Sequence, residues 1–122
     1  MSKKPLKQDH QESGESKLAR LGPLKEGAEE VVFPEGAVLF EEGSRADCFY
    51  YLAEGVVEFR KRREEGQWHP VSRARAGGFF GEVSVLTGQT RSLRAVAETE
   101  VRVLRISGKS LWSWLEASPG PG

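Results

Sequence analysis

Asparagine is absent from this 122-residue chain, and cysteine and methionine occur once each. Such depletion of thermolabile side chains is what a hot environment, or a GC-rich coding bias, leaves behind. The lone Cys48 has no intramolecular disulfide partner and sits in the apolar run Cys48-Phe49-Tyr50-Tyr51-Leu52, where a buried thiol is the ordinary reading. A cytoplasmic compartment is therefore expected. No apolar run approaches the length of a bilayer-spanning helix, and Met1 to His10 lacks the hydrophobic region of a signal peptide. A soluble, unprocessed protein with no membrane partner is expected. With 18 basic and 18 acidic residues the chain has no net charge, so no global field recommends nucleic acid as a partner. The two histidines, His10 and His69, lie far apart with no second ligand at metal spacing. No metal site, no cofactor and no metalloenzyme of the cupin kind are expected.

Two phosphate motifs are also missing. Gly108-Lys109-Ser110 ends like a P-loop, but Val103 stands where that loop needs its first glycine. Gly77, Gly78 and Gly81 do not have dinucleotide-fingerprint spacing, and no strand-helix-strand unit surrounds them.

What is present organises as one domain, since 122 residues at 38% hydrophobic content allow a single modest core. Residues 1–17 are polar, mixed in charge and without periodic apolar positions, which reads as a disordered tail. Leu18, Leu21 and Leu24 recur at three-residue spacing and predict a helical turn, interrupted by Gly22-Pro23. The domain is drawn over 18–118, with residues 119–122 a Pro/Gly tail.

From Glu30 onward the pattern is one of short β-branched and aromatic runs punctuated by glycine: Val31–Phe33, Val38–Phe40, Phe49–Leu52 and Val56–Phe59. That spacing predicts an antiparallel all-β domain. Arg60-Lys61-Arg62-Arg63-Glu64-Glu65-Gly66 changes sign abruptly, as a solvated hairpin tip does, a reading preferred to a nucleic-acid patch because the acidic pair cancels the field, and Pro70 demotes the returning strand Trp68–Ala74 to a sheet edge. Leu93–Ala97 and Val101–Ile106 close the sheet, with Val101, Val103 and, past a bulge, Ile106 on the inner face. Ser107 is the expected N-cap of a short helix from Gly108 to Ala117. On that helix one of Trp112 and Trp114 is expected to anchor Leu111 and Leu115, leaving the other on the surface or as a cover for a ligand.

Chemistry concentrates between Phe80 and Ala97. Gly81 lets backbone N–H groups approach a ligand, Glu82 can accept from a sugar hydroxyl, Arg91 can fork onto phosphate oxygens, and Ser92 adds a hydroxyl beside it. The acid and the arginine flank the turn Thr87-Gly88-Gln89-Thr90, so both could face one pocket. The plain alternative is a salt bridge between Glu82 and Arg91 that ties two loops together.

Phe80-Gly81-Glu82, the apolar Val83, Val85 and Leu86, and Arg91-Ser92 together resemble the phosphate-binding cassette of the cyclic nucleotide-binding domain family. Upstream, Phe33-Pro34-Glu35-Gly36, Phe40-Glu41-Glu42-Gly43, Asp47 and Tyr50–Gly55 extend the resemblance, which covers roughly residues 31–118. It implies a jelly-roll β-barrel of roughly seven or eight strands with a short C-terminal helix. It also implies non-catalytic binding of a cyclic purine mononucleotide, cAMP ahead of cGMP, as a signal receiver for an effector protein or a homodimer. By resemblance, Arg91 pairs with the exocyclic phosphate oxygens, Glu82 takes the ribose 2′-hydroxyl, and backbone near Gly81, Val83, Ser84 and Ser92 completes the cradle.

Three departures keep a second reading open. Leu93 stands where the family prefers a small residue, Arg94 where a threonine or aromatic is common, and the helix that covers the base in family members is expected to be missing. A fold that has kept its barrel as a protein-interaction module without ligand is the alternative. Otherwise Leu93 is expected to fill core space and Arg94 to point outward.

Overall fold

A computed structural model describes residues 27–64 and 66–117. The polar tail, the leucine-spaced turn and the Pro/Gly tail lie outside the described residues.

The described residues form eight strands and two short helices in chain order: β1 (Ala28–Phe33), β2 (Val38–Phe40), β3 (Cys48–Glu54), β4 (Val56–Arg62), β5 (Trp68–Arg75), β6 (Gly78–Phe80), α1 (Glu82–Thr87), β7 (Arg94–Ala97), β8 (Val101–Ser107) and α2 (Gly108–Ala117). The strands form two four-stranded sheets, ordered β1-β8-β3-β6 and β2-β7-β4-β5, and every ladder is antiparallel. The all-β jelly-roll expectation therefore holds, with one amendment. Among the described residues no ladder joins the edges of the two sheets, so they stand as two layers and not as a closed barrel. Sequence reading also passed over β6 and α1, placing only turns and the cassette there.

Between the layers lies the main core of Tyr50, Leu52, Val57, Phe80, Ala95, Ala97, Val101 and Val103. A second cluster of Phe49, Tyr51, Val85, Leu104, Ile106 and Leu111 fills the space between the first sheet and the helices. Strand β3 is thus covered on both faces, which is why its sequence is a continuous apolar run instead of an alternating one. Burying six such side chains of the outer cluster removes each from water at roughly 1.5–3 kcal/mol for a large aliphatic or aromatic group.

Ile106 belongs to this outer cluster, contrary to the expectation that a bulge turns it inward. The β1–β8 register runs unbroken from Ala28↔Ile106 to Phe33↔Val101, so strict alternation places Ile106 with Leu104 and opposite Val103. The irregularity lies instead in β3, where pairing to β8 shifts between Leu52 and Glu54.

Pro70 does sit on an edge strand, since β5 is outermost in its sheet, and the β4–β5 register slips beside it between Phe59 and Arg60. Ser107 caps α2 as expected, its Oγ accepting from the Ser110 N–H at 3.0 Å. Leu111 is the buried apolar side chain of that helix, whereas Trp112, Trp114 and Leu115 are exposed, so the expected anchoring of Leu115 is not seen. Gly108 lets α2 approach α1 closely, because a Cβ there would meet Val85 Cγ1 at 2.9 Å.

Candidate anion-binding site

Helix α1 begins and ends at glycine. Gly81 and Gly88 have φ of 82° and 74°, left-handed values that residues with a Cβ rarely adopt, and they bracket six residues too rich in β-branched side chains to announce a helix. Those two glycines were the available signal for α1. Glu82 occupies the first helical position, where a carboxylate is favoured by the partial positive charge of the helix end.

After α1 the chain returns through Arg91, whose backbone is stitched to the loop following β2. The Gly43 N–H donates to the Arg91 carbonyl at 2.7 Å, and the Arg91 N–H donates to the Ser44 carbonyl at 2.8 Å. From that fixed backbone the side chain runs inward and is only 3% exposed, the single buried charged residue among those described. Nη1 donates to the Gly81 carbonyl at 2.7 Å, and Nη2 donates to the Cys48 carbonyl. The guanidinium carbon lies 4.2 Å from the centre of the Phe40 ring. Nε is buried without a partner. Among the described residues no carboxylate pairs with Arg91, so the Glu82–Arg91 salt bridge weighed above does not form.

A pocket of about 130 Å³ opens over this guanidinium, lined by Phe40, Phe59, Gly81, Val83, Ser84, Arg91, Ser92 and Leu93. Five of the six residues expected from sequence, Gly81, Val83, Ser84, Arg91 and Ser92, converge there. The sixth, Glu82, is half-buried next to two lining residues but is not part of the wall, and its carboxylate has no ion pair or hydrogen bond among the described residues. Phe40 and Phe59 were missed as site residues, because nothing local distinguishes a core phenylalanine from one that faces a pocket. Leu93 lines the pocket and belongs to neither core cluster, which corrects the expectation that it fills core space. Arg94 does lie on the outer face of its sheet, yet it is not free: Nε meets Glu41 at 3.0 Å and the guanidinium carbon lies over the Trp68 ring, 4.6 Å from its centre.

Beside the mouth, Lys61 Nζ donates to the Ser92 carbonyl at 3.2 Å and pairs with Glu42 at 2.8 Å. Glu42 also accepts from the Arg62 N–H at 3.0 Å. The Lys61 ammonium, with that N–H second, holds the Glu42 carboxyl below its ordinary 4.5. Cys48 is half-buried and unbridged, its Sγ 3.6 Å from the Tyr50 hydroxyl. Burial, with the Cys48 contact second, pushes the Tyr50 phenol well above its ordinary 10.0. The helix α2 packs on α1, β3 and β8, and neither of its tryptophans lines the pocket, so neither covers it in this arrangement.

The family model of the cyclic nucleotide-binding domain matches residues 30–118. The chain belongs to this family. Within it, the chain is 36% identical over 83 residues to a cAMP-dependent protein kinase regulatory subunit of Aspergillus fumigatus, an overlap of 68% of this chain and 19% of that one. A cyclic nucleotide-binding-like protein from Brucella abortus has the same fold at a TM-score of 0.69 and 34% identity, over 80% of this chain and 84% of that one. The N-terminal domain of a transcriptional regulator from Streptomyces coelicolor superposes at a TM-score of 0.71 with 27% identity, over 85% and 72% of the two chains. The curated relatives are longer: the chain spans 19% of the kinase subunit and 44% of a mycobacterial transcriptional regulator. As a cyclic nucleotide-binding domain it carries no helix, among the described residues, long and apolar enough to cross a membrane. No cluster of three or more metal-ligating side chains occurs among those residues either.

Proposed function

We propose that this domain binds a cyclic purine mononucleotide without turning it over and serves as a signal-receiving module. Arg91 takes the exocyclic oxygens of the cyclic phosphate, with Gly81, Val83, Ser84 and Ser92 forming the cradle. Glu82 takes the ribose hydroxyl once its side chain turns toward the mouth. One observation carries the reading: a guanidinium 3% exposed, with an Nε that has no partner and no carboxylate beside it among the described residues, lines a pocket. A buried charge without a counter-ion is costly, and a bound anion removes that cost.

cAMP ranks ahead of cGMP because the curated relatives are cAMP-dependent or cAMP-activated proteins. The signal passes to an effector protein or to a second copy of the chain, in the cytoplasm, through a shift in the population of cassette and helix positions.

One observation favours the ligand-free alternative, a protein-interaction module. The pocket's roughly 130 Å³ accommodates a phosphate and part of a sugar, whereas small-molecule pockets usually offer about 300–1,000 Å³. Binding then requires the base to lie outside the pocket or the walls at Leu93 and Val83 to open. Calorimetric titration with cAMP and cGMP decides: heat from either supports the receiver, and silence from both, with no thermal shift, leaves the interaction module.

A further inference from the structure

The Arg91 guanidinium is held by two backbone carbonyls, one aromatic face and a 3.9 Å contact from Nη2 to the Cys48 Sγ, and by no carboxylate among the described residues. Carbonyls of Gly81 and Cys48 take one N–H each, and the guanidinium carbon lies over the Phe40 ring, 4.2 Å from its centre. Phe40 itself is fixed from three sides, with ring centres 5.9 Å from Tyr50, 6.5 Å from Phe59 and 6.4 Å from Phe80. The β2–β7 register breaks between Val38 and Phe40, which sets where the ring falls relative to the regular ladder.

From these contacts we infer that Phe40 is a positioning residue for Arg91, its ring standing where a carboxylate would otherwise hold the cation. An aromatic face attracts a guanidinium through its quadrupole and restricts it to one plane. Unlike a carboxylate, it leaves the full positive charge available. A Glu or Asp in its place would neutralise Arg91 and compete with any anion entering the pocket. The ring therefore orders the side chain before ligand arrives, which lowers the ordering cost of binding. The role in binding rests on the nucleotide reading given above; the placement of the guanidinium does not.

The test uses the full chain as wild type, Phe40→Leu and Phe40→Tyr. Leucine keeps an apolar side chain without a π face, and tyrosine keeps the face. In the free protein, the Arg91 Nε–H proton resonance is expected upfield of ordinary arginine values in wild type and Phe40→Tyr, and returned to them in Phe40→Leu. Calorimetry with cAMP is expected to show a roughly tenfold loss for Phe40→Leu and less than about threefold for Phe40→Tyr. Thermal unfolding identifies any variant that has simply lost its fold, and the wild-type resonance stands independently of both variants. An unshifted wild-type resonance overturns the proposal, as does equal loss of cAMP affinity in the two variants. A shifted resonance in a wild type that binds neither cAMP nor cGMP upholds the placement of Arg91 and overturns the nucleotide reading alone.

Discussion

The Gly81 carbonyl accepts a hydrogen bond from Arg91 Nη1 at 2.7 Å, joining the two ends of the cassette across α1. The same glycine leaves the room for that contact, since a Cβ on it would stand 2.9 Å from Nη1. Backbone conformation, pocket shape and the position of the cation are therefore set together at one residue.

Gly81→Ala is expected to move the guanidinium and to strain a backbone whose φ is 82°. The left-handed conformation costs a residue with a Cβ about 1–2 kcal/mol. Urea unfolding should show a loss of that size, with cAMP affinity reduced by more than the loss of folded fraction explains. An alanine variant with wild-type stability and affinity would contradict this account of the turn.

Arg91→Ala is expected to reduce cAMP affinity by at least about a hundredfold, since truncating a buried charged partner of a bound ion typically costs 2–5 kcal/mol or more. Arg91→Lys should recover only part of it, because an ammonium is a point charge without the planar fork. Calorimetry on both variants checks the order; equal affinity across wild type, lysine and alanine removes Arg91 from the site.

Among the described residues one charged side chain, Arg91, lines the pocket. A cyclic phosphodiester supplies one negative charge, whereas a phosphomonoester carries close to two at neutral pH and loses one as pH falls through about 6. Expected is at least roughly tenfold weaker binding of 5′-AMP than of cAMP at pH 7.5, from burial of an unmatched charge. The gap should narrow by pH 5. A ratio constant across that range would mean that charge count does not set the preference.

Glu42 clamps the loop that holds the Arg91 backbone. Its carboxyl is depressed in the folded state, so its contribution to stability is present above the ordinary 4.5 and disappears as pH falls through the lower folded value. The side chain is solvent-exposed enough for salt to weaken the pair with Lys61. Glu42→Gln should therefore be modestly less stable than wild type at pH 7 and low salt, with the difference shrinking as pH falls below 4.5 and gone below the folded-state value. Urea midpoints measured across pH 3–7 test the sign; a gap that grows on acidification would refute it.

Gly108→Ala pushes a methyl group toward Val85 Cγ1 at 2.9 Å and the Asp47 carbonyl at 3.3 Å, prising α2 from α1. Overpacking of this kind costs about 1–3 kcal/mol. Thermal unfolding should fall by several degrees. No change in midpoint would show that the two helices are not seated against each other.

Much of this was legible in the chain. Glycine-bounded β-branched runs marked most strands, Pro70 marked the edge, and Ser107 marked the start of α2, because each signal acts on its own few residues. Gly81, Val83, Ser84, Arg91 and Ser92 could be named from one short cassette, and they meet at one pocket. Short elements were harder to see. The six residues of α1 and the three of β6 are too few for periodicity to speak, and both are held by contacts with β3.

Sequence alone determined the strand pattern, the family and the arginine at its centre, since these reside in residue type and local order. Tertiary structure decided that Ile106 faces the helices, that Phe40 and Phe59 wall the pocket, that Leu93 joins them, and that Arg91 lies buried with no acid beside it among the described residues. The physical reason is distance along the chain: Arg91 reaches Cys48 across 43 positions, and only the closing of two sheets brings such residues together.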